Sequence, residues 1–146
     1  MTTLDRLQNH SAEIPAKLSG LSEQELIQHP PGKWSRKEIL GHLTDSAINN
    51  LKRFTEASFA SEPYLVCGYN QDALVVANRY QMLPLSHLIT LWSSLNQQIY
   101  YVANALTPEQ LAQPIQFENA DKPVQTLHWL IDDYVLHLEH HLKTLL

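Results

Sequence analysis

Long stretches of helical periodicity divided by proline-bearing breaks constrain this chain more than any other feature of its sequence. Only four glycines occur among 146 residues, and β-branched residues seldom alternate along the chain. Apolar residues instead recur at three- and four-residue steps over four long segments, which reads as all-α. The first long helix is predicted from about Leu4 to Leu18. A capping box at Ser22 and Glu25 then opens a short helix that must end before Pro30-Pro31. Ser35, with Glu38 three positions on and Trp34 able to pack against Ile39, marks a second start. That helix runs to about Phe59 with a core stripe of Ile39, Leu40, Leu43, Ala47, Leu51 and Phe54. Pro63 to Gly68 break the chain, and Asn70 to Tyr80 suit a short helix. The third long helix spans about Pro84 to Leu106, and Thr107-Pro108-Glu109-Gln110 reads as another capping box. Gln113 to Lys122 reads as a polar connection, with Pro123 opening the last helix. Four long helices without repeats predict a four-helix bundle, and the length predicts one domain over residues 1–146.

Composition narrows the function. The net charge is −5, from 15 acidic and 10 basic residues, and no basic run stands out. A nucleic-acid or anionic-membrane surface is therefore not expected. No apolar run reaches the ~20 residues that span a bilayer, and Met1-Thr2-Thr3-Leu4-Asp5 lacks the features of a signal peptide. Cys67 is the single cysteine, so no intramolecular disulfide can form and a cytoplasmic setting is expected. It lies in a loop-like stretch with no nearby histidine and reads as an ordinary thiol.

The chemistry concentrates in the last helix. Projected at about 100° per residue, Leu127, Leu130, Ile131, Tyr134, Leu138 and Leu145 form one stripe. His137 and His141 fall inside or at the edge of it. A core-facing imidazole needs partners for its nitrogens, because an unpaired buried polar group costs about 1–3 kcal/mol. At i,i+4 spacing the shared partner is either a metal ion or a set of neighbouring polar groups. His42, on the flank of the second long helix at the boundary of core and solvent, is a candidate third donor. Ser46, Asn49 and Arg53 continue the same edge. Three imidazoles suit zinc, nickel or iron better than magnesium or calcium, and three protein ligands leave a position for water or substrate. Asp133, one turn before His137, is a candidate to orient its ring, and His140 projects towards the polar side. Asp45 projects away from Leu43 and is not expected to be a ligand. His10, His29, His87 and His128 show no spacing that joins them to the set.

The run Gly32-Lys33-Trp34-Ser35, then Glu38-Ile39-Leu40-Gly41-His42-Leu43-Thr44-Asp45-Ser46, with Asn49, Arg53 and Phe54, resembles the second-helix signature of the DinB/YfiT-like superfamily. Tyr134-Val135-Leu136-His137-Leu138-Glu139-His140-His141 resembles its last-helix signature, and Tyr69-Asn70-Gln71 is similar to the Tyr-Asp-Glu of the intervening loop. The resemblance implies a four-helix bundle with a crossover connection, often dimeric, holding a divalent metal on His42, His137 and His141. It further implies transfer chemistry with a low-molecular-weight thiol as cosubstrate, a small-molecule electrophile and a possible homodimer. Metal-dependent hydrolysis and a non-catalytic, stress-related metal-binding bundle are the alternatives. Asn49 and Arg53 are the substrate-binding candidates. One departure stands out: the loop acids of YfiT-like members are Asn70 and Gln71 here, with Asp72 next in line.

Overall fold

The structure, a computed structural model, describes residues 1–146. In chain order come α1 (Thr3–Ser19), α2 (Glu23–Ile27), α3 (Arg36–Ser58), β1 (Tyr64–Val66), α4 (Gln71–Ala77), α5 (Leu85–Asn104), α6 (Pro108–Leu111), β2 (Pro114–Phe117), β3 (Gln125–Thr126) and α7 (Leu127–Leu145). A 3-10 turn, Tyr80–Met82, separates α4 from α5.

The helix starts follow local side-chain chemistry. Thr2, Ser22, Ser35 and Thr107 each accept from the backbone three residues on, while Asp5, Glu25, Glu38 and Gln110 reach back to the cap. Each reciprocal pair satisfies two amides that a helix otherwise leaves open.

α1, α3, α5 and α7 form the bundle. α3 packs against both α5 and α7, and so does α1, which sets α1 and α3 on a diagonal. Contacts fix the helix directions. Thr3 donates to Asp132 at 2.5 Å and Arg6 to Glu139 at 2.7 Å, so α1 and α7 run parallel. His42, near the start of α3, meets His137 and His141 towards the end of α7, so those two helices run antiparallel. The first residues of α1 share a cavity with Tyr100, Ala103 and Asn104 at the end of α5, so α1 and α5 are antiparallel. α3 and α5 therefore descend together, and residues 59–84 must climb back along the bundle. This is the expected crossover connection, and the bundle is the expected fold.

The crossover is clasped to α3 at one point. The Tyr80 ring lies so close to Gly41 that a Cβ there would fall 2.1 Å from Tyr80 Cδ2. Tyr80 Oη donates to Asp45 Oδ1 at 2.6 Å, and Asn78 Nδ2 donates to the same oxygen at 3.1 Å. Burial pushes the Asp45 carboxyl above its ordinary range, against the pull of these two donors. Asp45 is thus a buried structural acceptor.

The core agrees with the sequence stripes. Ile39, Leu40, Leu43, Ala47 and Phe54 are buried on α3, as are Leu127, Leu130, Ile131, Tyr134, Leu138 and Leu145 on α7. Leu51 is half-buried at the margin. No helix is long and apolar enough to cross a membrane.

Two sequence expectations need correction. Residues 113–122 are not only a polar connection: β2 pairs in parallel with β1, and antiparallel with β3. Ile115, fully buried, anchors this three-stranded sheet to the core. Nor does Pro123 open the last helix. The pairing of Gln125 with Ile115 holds the backbone extended, and α7 begins at Leu127 once Thr126 accepts from the Trp129 amide at 3.1 Å.

Candidate metal centre

α3 and α7 bring three imidazoles to one point. The Nε2 atom of His42 lies 3.3 Å from that of His137, and His141 Nε2 lies 3.1 Å from His137 Nε2. All three ligand atoms fall within 4.8 Å of one another. The i,i+4 spacing on α7 aims His137 and His141 at the same place, and the antiparallel approach of α3 supplies the third ring from the opposite wall.

His42 is only 1% exposed. It lies deeper than the core–solvent boundary expected from its helix projection, because Trp34 covers it with ring centroids 4.8 Å apart. Residues before the cap fold back over the first turns of α3, a placement that helical periodicity cannot express. His42 Nδ1 is also buried and finds no hydrogen-bond partner.

Burial lowers the proton affinity of all three rings. His42 is pushed down to about 4, chiefly by burial and then by His137 and His141. His141 is pushed down to about 4 by burial and then by His137 and His140. His137 moves in the same direction, by burial and then by His140. The rings are therefore neutral at neutral pH. With its proton on Nδ1, each ring presents its Nε2 lone pair to the shared point, as metal ligation requires. Ligands about 2.0–2.1 Å from a tetrahedral zinc ion stand roughly 3.3 Å apart, which matches the spacings around His137. The nitrogen donors also suit nickel.

Two cavities flank the histidines. A groove of about 420 Å³ runs between α3 and α7, with Ser46, Asn50 and Arg53 on one wall and Asp133, Tyr134 and His137 on the other. Tyr69 and Phe117 also line it. A basin of about 720 Å³ lies on the other side, lined by Lys33, Trp34, Asp72, His140 and His141 among others. His140, exposed and 5.5 Å from the His141 ring between centroids, borders both cavities.

The remaining candidates separate clearly. Arg53 lines the groove. It donates to the Cys67 carbonyl and, at 3.4 Å, to Asn50 Oδ1, and its guanidinium lies 5.6 Å from the centroid of the Tyr69 ring. Asn49 instead donates to the Asp45 carbonyl one turn back, at 2.9 Å, and does not line the groove. Asn50, which the sequence reading passed over, takes that place, and its amide donates to the Ser46 carbonyl at 2.8 Å. The relevant signal was the step of four from Ser46, which keeps Asn50 on the same face.

Asp133 makes no hydrogen bond to His137 and does not orient it; it faces the groove. Partial desolvation raises its carboxyl, against the pull of Lys122 and Arg53. Asn70 caps α4 by accepting from the Ala73 amide at 3.0 Å, so the departure from an acid serves the helix start. Asp72 lies exposed on the basin. Cys67 is exposed in the loop after β1. His10 and His128 pair loosely with Glu139 and Asp132, at 3.8 and 3.6 Å, apart from the three-histidine cluster.

A four-helix bundle with one crossover matches known proteins. Residues 6–145 match the DinB superfamily, and the chain belongs to that superfamily. A protein of Oceanobacillus iheyensis, named provisionally as a metal-dependent hydrolase, is 23% identical over 145 residues, covering 95% of this chain and 79% of its own length. A protein of Halalkalibacterium halodurans with the same provisional name is 26% identical over 134 residues, covering 88% of this chain and 76% of its own. Among solved structures, YfiT from Bacillus subtilis is described as a probable metal-dependent hydrolase with an unusual four-helix bundle topology. It superposes with a TM-score of 0.84 at 21% identity, over 95% of this chain and 79% of that one. The mycothiol-dependent maleylpyruvate isomerase superposes with a TM-score of 0.70 at 15% identity, over 96% of this chain and 58% of that one. These two likenesses establish the shared fold.

Proposed function

We propose that His42, His137 and His141 hold a divalent metal ion, zinc or nickel, and that the protein is a transferase acting on a low-molecular-weight thiol and a small electrophile. The observation that carries this reading is the convergence of three Nε2 atoms at ligand spacing, from a buried His42 and half-buried His137 and His141, with cavities on both sides. The names of the two bacterial relatives support a metal, and the mycothiol dependence of one structural neighbour supports a thiol. A divalent metal with an open position lowers the pKa of a thiol placed there and supplies a nucleophile at neutral pH.

The chain's own residues do the rest. Trp34 and the buried surroundings of His42 keep water from that side of the cluster, which strengthens electrostatic interactions there. The groove beside His137 and the basin beside His141 give two reactants separate approaches to one point. In the transfer, the thiol proton passes to solvent, sulfur bonds to the electrophilic carbon, and the leaving group departs with its electron pair.

Hydrolysis is the second reading. Asp72 and His140 favour it, because both line the basin that His141 borders and offer candidate proton acceptors for a water there. One experiment separates the two. Protein purified without an affinity tag and loaded with zinc or nickel is given glutathione and an alkylating dye, with hydrolysis of an activated ester followed in parallel. The transferase reading expects a dye-coupling rate that requires metal and thiol together. Ester hydrolysis without thiol dependence would replace it with the hydrolase reading.

A further inference from the structure

The groove between α3 and α7 contains a cation with no acidic partner. Arg53 is held by the Cys67 carbonyl, by Asn50 and by the Tyr69 ring, yet it forms no ion pair with any carboxylate. Three contacts fix the guanidinium, and several of its five N–H donors remain free to bind another group. Asp133 stands on the opposite wall, close enough for Arg53 to pull on its carboxyl but not paired with it. A guanidinium immobilised before binding loses little further entropy when it takes a carboxylate bidentately.

Its place along α3 sets a length. Arg53 is eleven residues beyond His42, roughly 16 Å along the helix axis at 1.5 Å per residue. Helical side chains lean towards the N-terminus, and arginine is the longer of the two, so the guanidinium reaches back towards the histidines. That leaves a span on the order of 10 Å. The groove joins the two points, with Asp133 and Asn50 between them offering an acceptor and an amide.

We propose that this groove is the binding site for the body of the thiol, and that it selects a peptide-like thiol whose carboxylate lies on the order of 10 Å from its sulfur. The inference rests on the thiol reading given above and names the class of thiol. With sulfur at the three histidines, the carboxylate meets Arg53, and an N–H of the intervening chain donates to Asp133. Cysteine, whose carboxylate carbon is about three bonds from sulfur, is too short to span that distance. Asp133 also disfavours thiols carrying several phosphates, since like charges across a partly desolvated groove repel.

The test is a titration of the cobalt(II)-loaded protein, read by the sulfur-to-cobalt absorption band. Glutathione, glutathione with its carboxylates amidated, cysteine and 2-mercaptoethanol are compared on the unmodified chain and on Arg53→Gln and Arg53→Lys. Melting curves and cobalt content confirm that each variant is folded and loaded. The expected result is that glutathione binds at least tenfold more tightly than its amidated form or cysteine. Arg53→Gln removes that advantage, Arg53→Lys restores part of it, and 2-mercaptoethanol binds all three proteins alike. Sulfur bands that ignore both the carboxylates and Arg53 overturn this inference while leaving the thiol reading standing. Absence of a sulfur band with every thiol overturns the thiol reading, and this inference with it. Amidated glutathione is a change in the ligand alone, so the comparison holds even if a variant is damaged.

Discussion

The Nε2 atoms of His42 and His137 lie 3.3 Å apart although 95 positions separate the residues in the chain. Two neutral rings at this distance, one buried and one half-buried, share at most one proton, and His141 adds a third nitrogen lone pair at 3.1 Å from His137. Without a cation the cluster is electrostatically poor, and that weakness has a measurable pH signature.

In metal-free protein, His42 and His141 titrate near 4 when folded, against an ordinary value of 6.5. The unfolded chain therefore binds protons first as the pH falls. Stability should be full above about pH 6.5 and decline progressively towards pH 4. Urea midpoints of the metal-free protein, measured from pH 8 to 5, should fall below about pH 6.5. A flat profile in the unmodified chain, or a fall of the same size that persists after both histidines are replaced, would contradict the assigned environment.

Gly41 is required by the approach of Tyr80, since an added Cβ would come within 2.7 Å of Tyr80 Cβ and closer still to its ring. Gly41→Ala is expected to destabilise by about 1–3 kcal/mol through overpacking, whereas Gly20→Ala, with its nearest contact at 3.4 Å, should be near neutral. Thermal melts of the two variants make the comparison. Equal melting temperatures would mean that the crossover does not dock here.

Tyr80→Phe keeps the ring against Gly41 but removes the donor to Asp45, leaving Asn78 alone on that buried carboxyl. A loss of about 1–3 kcal/mol is expected for an acceptor stripped of its main partner. Asp45→Asn in the Tyr80→Phe background should cost less than the sum of the two single changes, because both act on one interaction. Additive losses would show that the hydroxyl contributes elsewhere.

Much of this was legible in the sequence. Capping pairs at Ser22, Ser35 and Thr107 marked three of the helix starts, and the α7 stripe identified both the core and the two histidines that interrupt it. The small sheet was not legible, because β1, β2 and β3 are each too short for a period-two pattern to stand out, and β1 finds its partner β2 far along the chain, Tyr64 opposite Ile115. The depth of His42 was hidden for a similar reason: Trp34 covers it from outside the helix. Asn49 and Asn50 both lie near one edge of α3; the step of four from Ser46 favours Asn50, and packing against α7 puts Asn50 in the groove.

Cys67 is exposed in the loop after β1, and its carbonyl, not its thiol, is engaged by Arg53. Cys67→Ser should leave thiol-dependent dye coupling nearly unchanged, while replacement of His42, His137 or His141 abolishes it. A rate that collapses in Cys67→Ser with metal retained would assign the nucleophile to the protein instead of a cosubstrate.

The most direct test of the metal centre is the metal content of tag-free protein, measured by mass spectrometry for the unmodified chain, His137→Ala and His128→Ala after identical dialysis. The account predicts about one divalent ion per chain in the unmodified protein and in His128→Ala, and loss of most of it in His137→Ala, since only His137 stands within the cluster. Equal metal content in all three proteins, or none in any of them after loading with zinc and nickel, would contradict it.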